Sequence, residues 1–442
     1  MSLSNCTIHV VGAGLAGSEC AYQLAQRGFK VKLFEMRGIK STPAHKTEKF
    51  AELVCSNSLG STTDYSAPGQ LKWEAKKLNS LILDSAEFAA VPAGMALGVD
   101  REKFAERITI CIRNHPNIEC INKIVTNLDE LPRPTVIATG PLTDNDLAQS
   151  MRNHFDNEFL YFFDAIAPII DADSINTELV WRADRWDKGS GDYLNCPLDK
   201  EQYFNLIKEI QNARTIEPKE FEKDTPYFEA CMPIEEIVRR GENSLRFGPL
   251  SPKGLRNPRT EKNEYAIVQL RQENREATAY NMVGFQTKMA YPEQKRIFQM
   301  IPGLEEAEFL KLGSMHRNLY IESPKKLNGD LSSKKDPNLY FAGQITGVEG
   351  YFESACMGLL VARFLGDKLE DKTFKPPPPE SAFGALLKNL TEDKEHFQPT
   401  NINFGLLPAY TSSDGKKIPK REKRELMLTR AQQHFSTWIS NC

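Results

Sequence analysis

Long apolar runs are missing from this chain of 442 residues: nothing in it approaches the roughly 18 to 20 consecutive apolar side chains that a membrane helix needs. The opening Met1 to Val11 has neither a basic start nor a cleavage site, so a soluble, cytoplasmic protein with no membrane partner is expected. Excess charge of either sign is missing too. Lys and Arg total 56 against 59 Asp and Glu, a formal net charge of -3, so any polyanion must be met by a local basic surface. Paired cysteines are the third absence. The nine cysteines (6, 20, 55, 111, 120, 196, 231, 356 and 442) are odd in number, scattered, and without a Cys-x-x-Cys pair, which fits neither a disulfide framework nor a zinc site. What is present, 40% hydrophobic and 26% charged residues, suffices for two or three packed cores and excludes a disordered or fibrous chain.

The first 35 residues read as one β-α-β unit. Cys6 to Val11 is a short β-rich run, Gly12-Ala13-Gly14-Leu15-Ala16-Gly17 a tight turn, Ser18 to Arg27 has helical spacing closed by Gly28, and Lys30 to Glu35 is a second strand. In such a unit Gly12 makes the turn, Gly14 lets the backbone approach a pyrophosphate, Gly17 allows helix to pack on strand, and Glu35 takes ribose hydroxyls. Strands are also expected at Pro134 to Gly140 and Asn338 to Gly343, the second leading into another glycine-rich turn, Gly343-Gln344 through Gly350. A second turn of that kind late in the chain favours FAD over NAD as the tightly bound cofactor. The expected fold class is α/β, a Rossmann-type FAD-binding domain of the glutathione-reductase type with an inserted α+β domain. Its parts would be 1–145 (first FAD-binding part), 146–334 (inserted substrate domain) and 335–442 (second FAD-binding part with a basic tail), with Lys375 to Pro379 a stiff linker.

Two cysteines have unusual neighbours. Cys55 lies in Phe50-Ala-Glu-Leu-Val-Cys-Ser-Asn-Ser58, and Cys231 in Phe228-Glu-Ala-Cys-Met-Pro-Ile-Glu235. Spacing alone leaves each as a small buried hydrophobe, the usual state of a free cysteine.

With these blocks, and with Thr42-Pro-Ala-His45, Val91-Pro-Ala-Gly94, Asn195-Cys-Pro197, Val268-Gln-Leu-Arg-Gln272, Met315-His-Arg-Asn318, Gly343 to Ser354 and Asn403 to Pro408, the chain resembles the folate- and FAD-dependent tRNA (uracil-5-)-methyltransferases. That is the TrmFO family, shorter relatives of the GidA flavoproteins. The resemblance implies that methylenetetrahydrofolate provides a one-carbon unit that reaches C5 of a tRNA uracil by way of FAD, most naturally T-loop uridine 54, with NAD(P)H supplying electrons. Uracil C5 is a poor nucleophile until a thiolate adds to C6, and the C5 proton must then leave. By the family's motifs Cys231 is the nucleophile and Cys55 the second catalytic cysteine, a base or an assistant to proton removal.

The resemblance also implies that Tyr351 and His316 hold the folate pterin or control access to it. Tyr291, where the family frequently has Trp, is carried over as a substrate contact, and Gly60 stands where Arg often follows Ser-Asn-Ser-Leu. Arg101, Arg271 and Arg317 are candidates for FAD, folate or RNA anions and equally for ordinary ion pairs. Glu229 and Glu235, flanking Cys231, are expected to turn away from the sulfur toward cations such as Arg239 or Arg240. RNA contact would be local: Lys416 to Arg424 holds six basic residues in nine, with Lys325-Lys326, Lys334-Lys335, and Lys253 with Arg256 and Arg259 besides. The partners expected are tRNA and folate, with neither DNA nor metal. The alternatives are the same chemistry on ribosomal RNA, a GidA-like FAD-containing RNA-binding protein without methyl transfer, and an FAD oxidoreductase of a small molecule.

Overall fold

The computed structural model describes residues 6–441 except 43, 157–159, 188–189, 217–231, 262, 275, 395–396 and 411–417, with backbone alone at 160–166 and 314–317. Five strands form a wholly parallel sheet in the order Leu339–Phe341, Thr135–Ile137, Thr7–Val11, Lys30–Glu35, Ile118–Asn122. The inner positions of these strands are apolar, Ile8, Val10, Val31, Leu33 and Val136 all lying at 1% exposure or less, whereas Lys30, Glu119 and Asn122 toward the edge are exposed. Parallel strands put all their carboxyl ends at one edge. The turns after Val11, Glu35, Ile137 and Phe341 therefore gather there, although the last begins some three hundred residues after the first.

The Leu15–Gln26 helix follows the first strand and packs on Tyr351–Leu369. Glycine makes the approach possible: a Cβ on Gly358 would lie 2.1 Å from the Ala16 carbonyl oxygen. Arg27, at the end of the first helix, ties it to the second through Asp367 at 2.8 Å and Glu370 at 2.7 Å. The core of this body also takes in Ala382–Thr391 and the C-terminal Lys420–Ser440 helix, whose Phe435 stacks on Phe383 at 5.9 Å between ring centroids.

A second body has its own core, from Ile170 to Ala307, around a six-stranded sheet ordered Trp181–Arg182, Tyr193–Leu198, Ala266–Gln272, Ala279–Met282, Ile169–Asp171, Phe309–Lys311. Its strand pairs are antiparallel. An antiparallel ribbon of Leu160–Ile166 and Ser314–Tyr320 stands at its root. Leu147, Met151 and Phe155 before that ribbon, and Leu319, Ile321 and Leu327 at and after its end, belong to the first core. Among the described residues no helix is long and apolar enough to cross a membrane.

Candidate functional site

Where the sheet's carboxyl ends meet, a cleft with about 1040 Å³ of non-atom space, its open mouth included, runs between the two glycine turns. Gly12, Gly14, Leu15, Ala16, Glu35, Gly343, Gln344 and Tyr351 line it, together with Arg37, Thr42, His45 and Val54. The glycines differ in what they do. Gly12 has φ +98°, and a Cβ there would sit 2.7 Å from the Ala138 carbonyl oxygen, so it shapes the turn. Gly17 has no room at all, its Cβ falling 1.8 Å from the Gly12 oxygen. Around Gly14, by contrast, nothing lies within 4 Å: a side chain would enter the space that a pyrophosphate needs at the amino end of the helix. Gly343, at φ +82°, lets the late turn close on Ala16, and Gly350, at φ +104°, starts the Tyr351–Leu369 helix.

Glu35 ends its strand buried. Its carboxylate accepts the Ala13 amide at 2.8 Å, the Arg37 amide at 3.0 Å and the Arg37 guanidinium at 2.9 Å. Burial alone would raise this carboxyl, but Arg37 and the two amides bring it below the ordinary range. An ionised carboxylate has about four acceptor positions, so capacity for ribose hydroxyls remains. Arg37, itself 3% exposed and bound to the Lys49 and Ala13 carbonyls, holds the acid in place. His45, with Nδ1 at 2.7 Å from Thr42 Oγ1, is lowered first by burial and then by Arg37, and stands neutral in the cleft at pH 7.

Cys55 is half-buried on the turn that borders the cleft, and its amide donates to the Tyr351 hydroxyl at 2.6 Å. The structure thus brings together two residues 296 positions apart. The turn is held from the second body as well. Arg271 donates to Asn57 Oδ1 at 3.0 Å and Ser56 Oγ at 3.1 Å, and Asn57 Nδ2 donates to the Gln272 carbonyl at 2.9 Å. Arg101 spans the Leu53 and Cys55 carbonyls at 2.7 and 3.0 Å while pairing with Glu273 at 2.6 Å. In this structure Arg101 and Arg271 are therefore clamps on the cysteine turn.

Cys231 and Glu229 lie outside the described residues, as does the start of the basic run at Lys416. His316 pairs with Asp164 in the ribbon backbone. Tyr291 begins the Tyr291–Phe298 helix on the second body, 53% exposed and not among the cleft-lining residues. The expectation for Glu235 is corrected. It points neither to Arg239 nor to Arg240: it is buried, accepting the Thr287 hydroxyl and the Met289 amide at 3.1 Å, and burial pushes its carboxyl up. Arg239 pairs with Glu236 instead, at 2.9 Å. Sequence reasoning had no signal for the roles of Arg37, Asn57 and Lys311, whose partners are set by the fold. Among the described residues no group of three or more His, Cys, Asp or Glu could hold a metal ion.

A second, open groove is strongly basic. Among the described residues Lys388, Lys394, Lys420, Lys423 and Arg424 line it with Glu392 as the one acid, and Phe404 lies beneath Arg424, 4.7 Å from ring centroid to guanidinium carbon.

Strand order, the paired glycine turns and the buried acid at the end of the second strand define a Rossmann-type FAD-binding α/β protein carrying a second body. Residues 7–373 match the family model of glucose inhibited division protein A. The chain is 66% identical over 422 residues, 95% of it and 96% of the relative, to the methylenetetrahydrofolate–tRNA-(uracil-5-)-methyltransferase TrmFO of Bdellovibrio bacteriovorus. It is 50% identical over 431 residues, 97% of it and 98% of the relative, to the TrmFO of Natranaerobius thermophilus. The Aquifex aeolicus GidA structure superposes with a TM-score of 0.68 at 14% identity, over 99% of this chain and 74% of that one, a likeness of fold. The chain belongs to the GidA family and, within it, to the TrmFO methyltransferases.

Proposed function

We infer that the protein is a folate-dependent methyltransferase of tRNA that forms 5-methyluridine from methylenetetrahydrofolate, acting at T-loop uridine 54. The observation that carries this reading is Cys55 hydrogen-bonded to Tyr351 at the rim of a cleft lined by both glycine turns, in a chain 66% identical to a curated TrmFO. Gly12, Gly14, Leu15, Ala16 and Glu35 on one side, with Gly343 and Gln344 on the other, would hold FAD, while Ala13, Gly17 and Gly350 shape the two turns. Bound FAD supplies the passage of the one-carbon unit and the final reduction, with NAD(P)H as the electron source.

The chain's own residues do the rest. Cys231 adds as thiolate to uracil C6, which makes C5 nucleophilic, and Cys55 takes up the C5 proton on Sγ. The Tyr351 hydroxyl keeps the Cys55 backbone in place, and its ring with His316 receives the pterin. Tyr291, exposed on the second body, would meet the RNA, and the basic groove its phosphates. The target base, stacked in a folded T-loop, is turned out to reach the cleft. The enzyme works in the cytoplasm.

Incubation of the purified protein with unmodified tRNA, labelled methylenetetrahydrofolate and NADPH, followed by nucleoside analysis, tests the assignment. Label in 5-methyluridine at position 54 is expected. Label that enters only from S-adenosylmethionine, or only ribosomal RNA, overturns it.

A further inference from the structure

The turn bearing Cys55 receives two cations on three successive carbonyls. Arg101 takes Leu53 and Cys55, and its charge is matched by Glu273 at 2.6 Å. Between them the Val54 carbonyl accepts from Lys311 Nζ at 2.8 Å. Lys311 ends Phe309–Lys311, an edge strand of the second body's sheet, so its ammonium reaches the turn from the other side of the seam. Among the described residues Lys311 makes no ion pair, and an ammonium has three donors of which this carbonyl uses one.

The ionisable groups facing it are Arg101 and Lys46, which oppose its charge, and Glu273 and the Cys55 sulfur, which would favour it if negative; His45 feels it in turn. Burial first, then Arg101 and Lys46, bring the Lys311 ammonium down to about 8. It is therefore largely charged at pH 7 and gives up that charge above pH 8.

We propose that Lys311 is a positioning residue for Cys55: it fixes the turn that carries the thiol and supplies, from the second body, the positive charge beside which a thiolate is held. The inference rests on the base role given to Cys55 above. For that role Sγ–H must first release its proton to solvent; the sulfur then takes the C5 proton and returns to the thiol. Arg101 cannot serve alone, because its charge is already offset by Glu273. A cation delivered by the second body also makes the reactivity of Cys55 depend on how that body sits against the first.

The test reads Cys55 without RNA or folate, so that its failure is distinct from failure of the methyltransferase reading. Full-length, FAD-loaded wild type, Lys311→Gln and Lys311→Arg are treated with iodoacetamide from about pH 6.5 to about pH 9.5, and the Cys55 peptide is followed by mass spectrometry. Lys311→Gln keeps a donor for the Val54 carbonyl but no charge, and its Cys55 should alkylate about tenfold more slowly at pH 7. Lys311→Arg should restore the rate to within about twofold. The wild-type advantage over Lys311→Gln should shrink above pH 8 as the lysine loses its proton, whereas the advantage of Lys311→Arg should persist to higher pH. Equal rates in wild type and Lys311→Gln at pH 7, a Lys311→Arg as slow as Lys311→Gln, or a deficit constant at every pH overturns the proposal. Should the variants fail to bind FAD or fold, the wild type still decides: a Cys55 no more reactive at pH 7 than free cysteine overturns it.

Discussion

Gly14 and Gly17 belong to one turn yet carry opposite constraints. A Cβ on Gly17 lies 1.8 Å from the Gly12 carbonyl oxygen, whereas one on Gly14 meets nothing within 4 Å. Gly14→Val should accordingly fold, melt within a few degrees of the wild-type apoprotein, and lose the flavin spectrum, because its side chain occupies only cofactor space. Gly17→Val should fail to accumulate as folded protein. A Gly14→Val protein that purifies with full FAD would refute the placement of the cofactor. The two cysteines separate at the same scale. On the roles proposed above, Cys231→Ala should give neither methylation nor a covalent RNA adduct, because the group proposed to add to C6 is gone. Cys55→Ala should still attack C6 but stall before proton loss, so adduct accumulates while product falls by about 10²-fold or more. Denaturing gels with 5-fluorouridine-substituted tRNA read this directly; adduct surviving in Cys231→Ala and missing in Cys55→Ala would exchange the roles.

Between elements, the decisive contact is the seam where Ala266–Gln272 of the second body meets the turn of residues 53–57. Asn57 is fully buried there, donating to the Val99 carbonyl at 3.1 Å and the Gln272 carbonyl at 2.9 Å and accepting from Arg271. Asn57→Ala strips one donor from each of two buried carbonyls and leaves Arg271 with one acceptor fewer. The expected cost is about 2 to 3 kcal/mol, the usual penalty for buried polar groups left unpaired, read from chemical denaturation followed by tryptophan fluorescence. FAD should be retained, since the glycine turns are untouched, while methyl transfer falls. An Asn57→Ala protein of wild-type stability would show that water replaces these bonds and that the seam is not held by them.

For the molecule as a whole, the net charge of -3 requires that RNA affinity arise locally. Among the described residues, the groove lined by Lys388, Lys394, Lys420, Lys423 and Arg424 concentrates five cations against one acid. If five phosphates are met there, tRNA affinity should fall on the order of 10²-fold between about 50 and about 200 mM salt, and reversing Lys388 and Lys423 to Glu should flatten that slope. Filter binding over a salt series checks both. A slope unchanged in the double variant would move the RNA elsewhere on the surface.

What the sequence determined by itself is what local chemistry writes down. The β-α-β unit, both glycine turns and the acid at Glu35 were legible because strand composition, turn glycines and helix spacing lie within a few tens of residues. The strands near 135 and 339 were legible for the same reason, and the activity became legible only through resemblance. The surroundings of Cys55 were decided by tertiary structure alone. Tyr351 lies 296 residues away and Lys311 lies 257 residues from the carbonyl it binds, so no periodicity links them. They meet because parallel strands bring their carboxyl ends to one edge, and because the second body folds back over that edge. Glu235 shows the same limit from the other side. Its neighbours in sequence suggested a surface ion pair with Arg239 or Arg240, but the fold buries it against Thr287 and Met289, where backbone amides and a hydroxyl offset the loss of water.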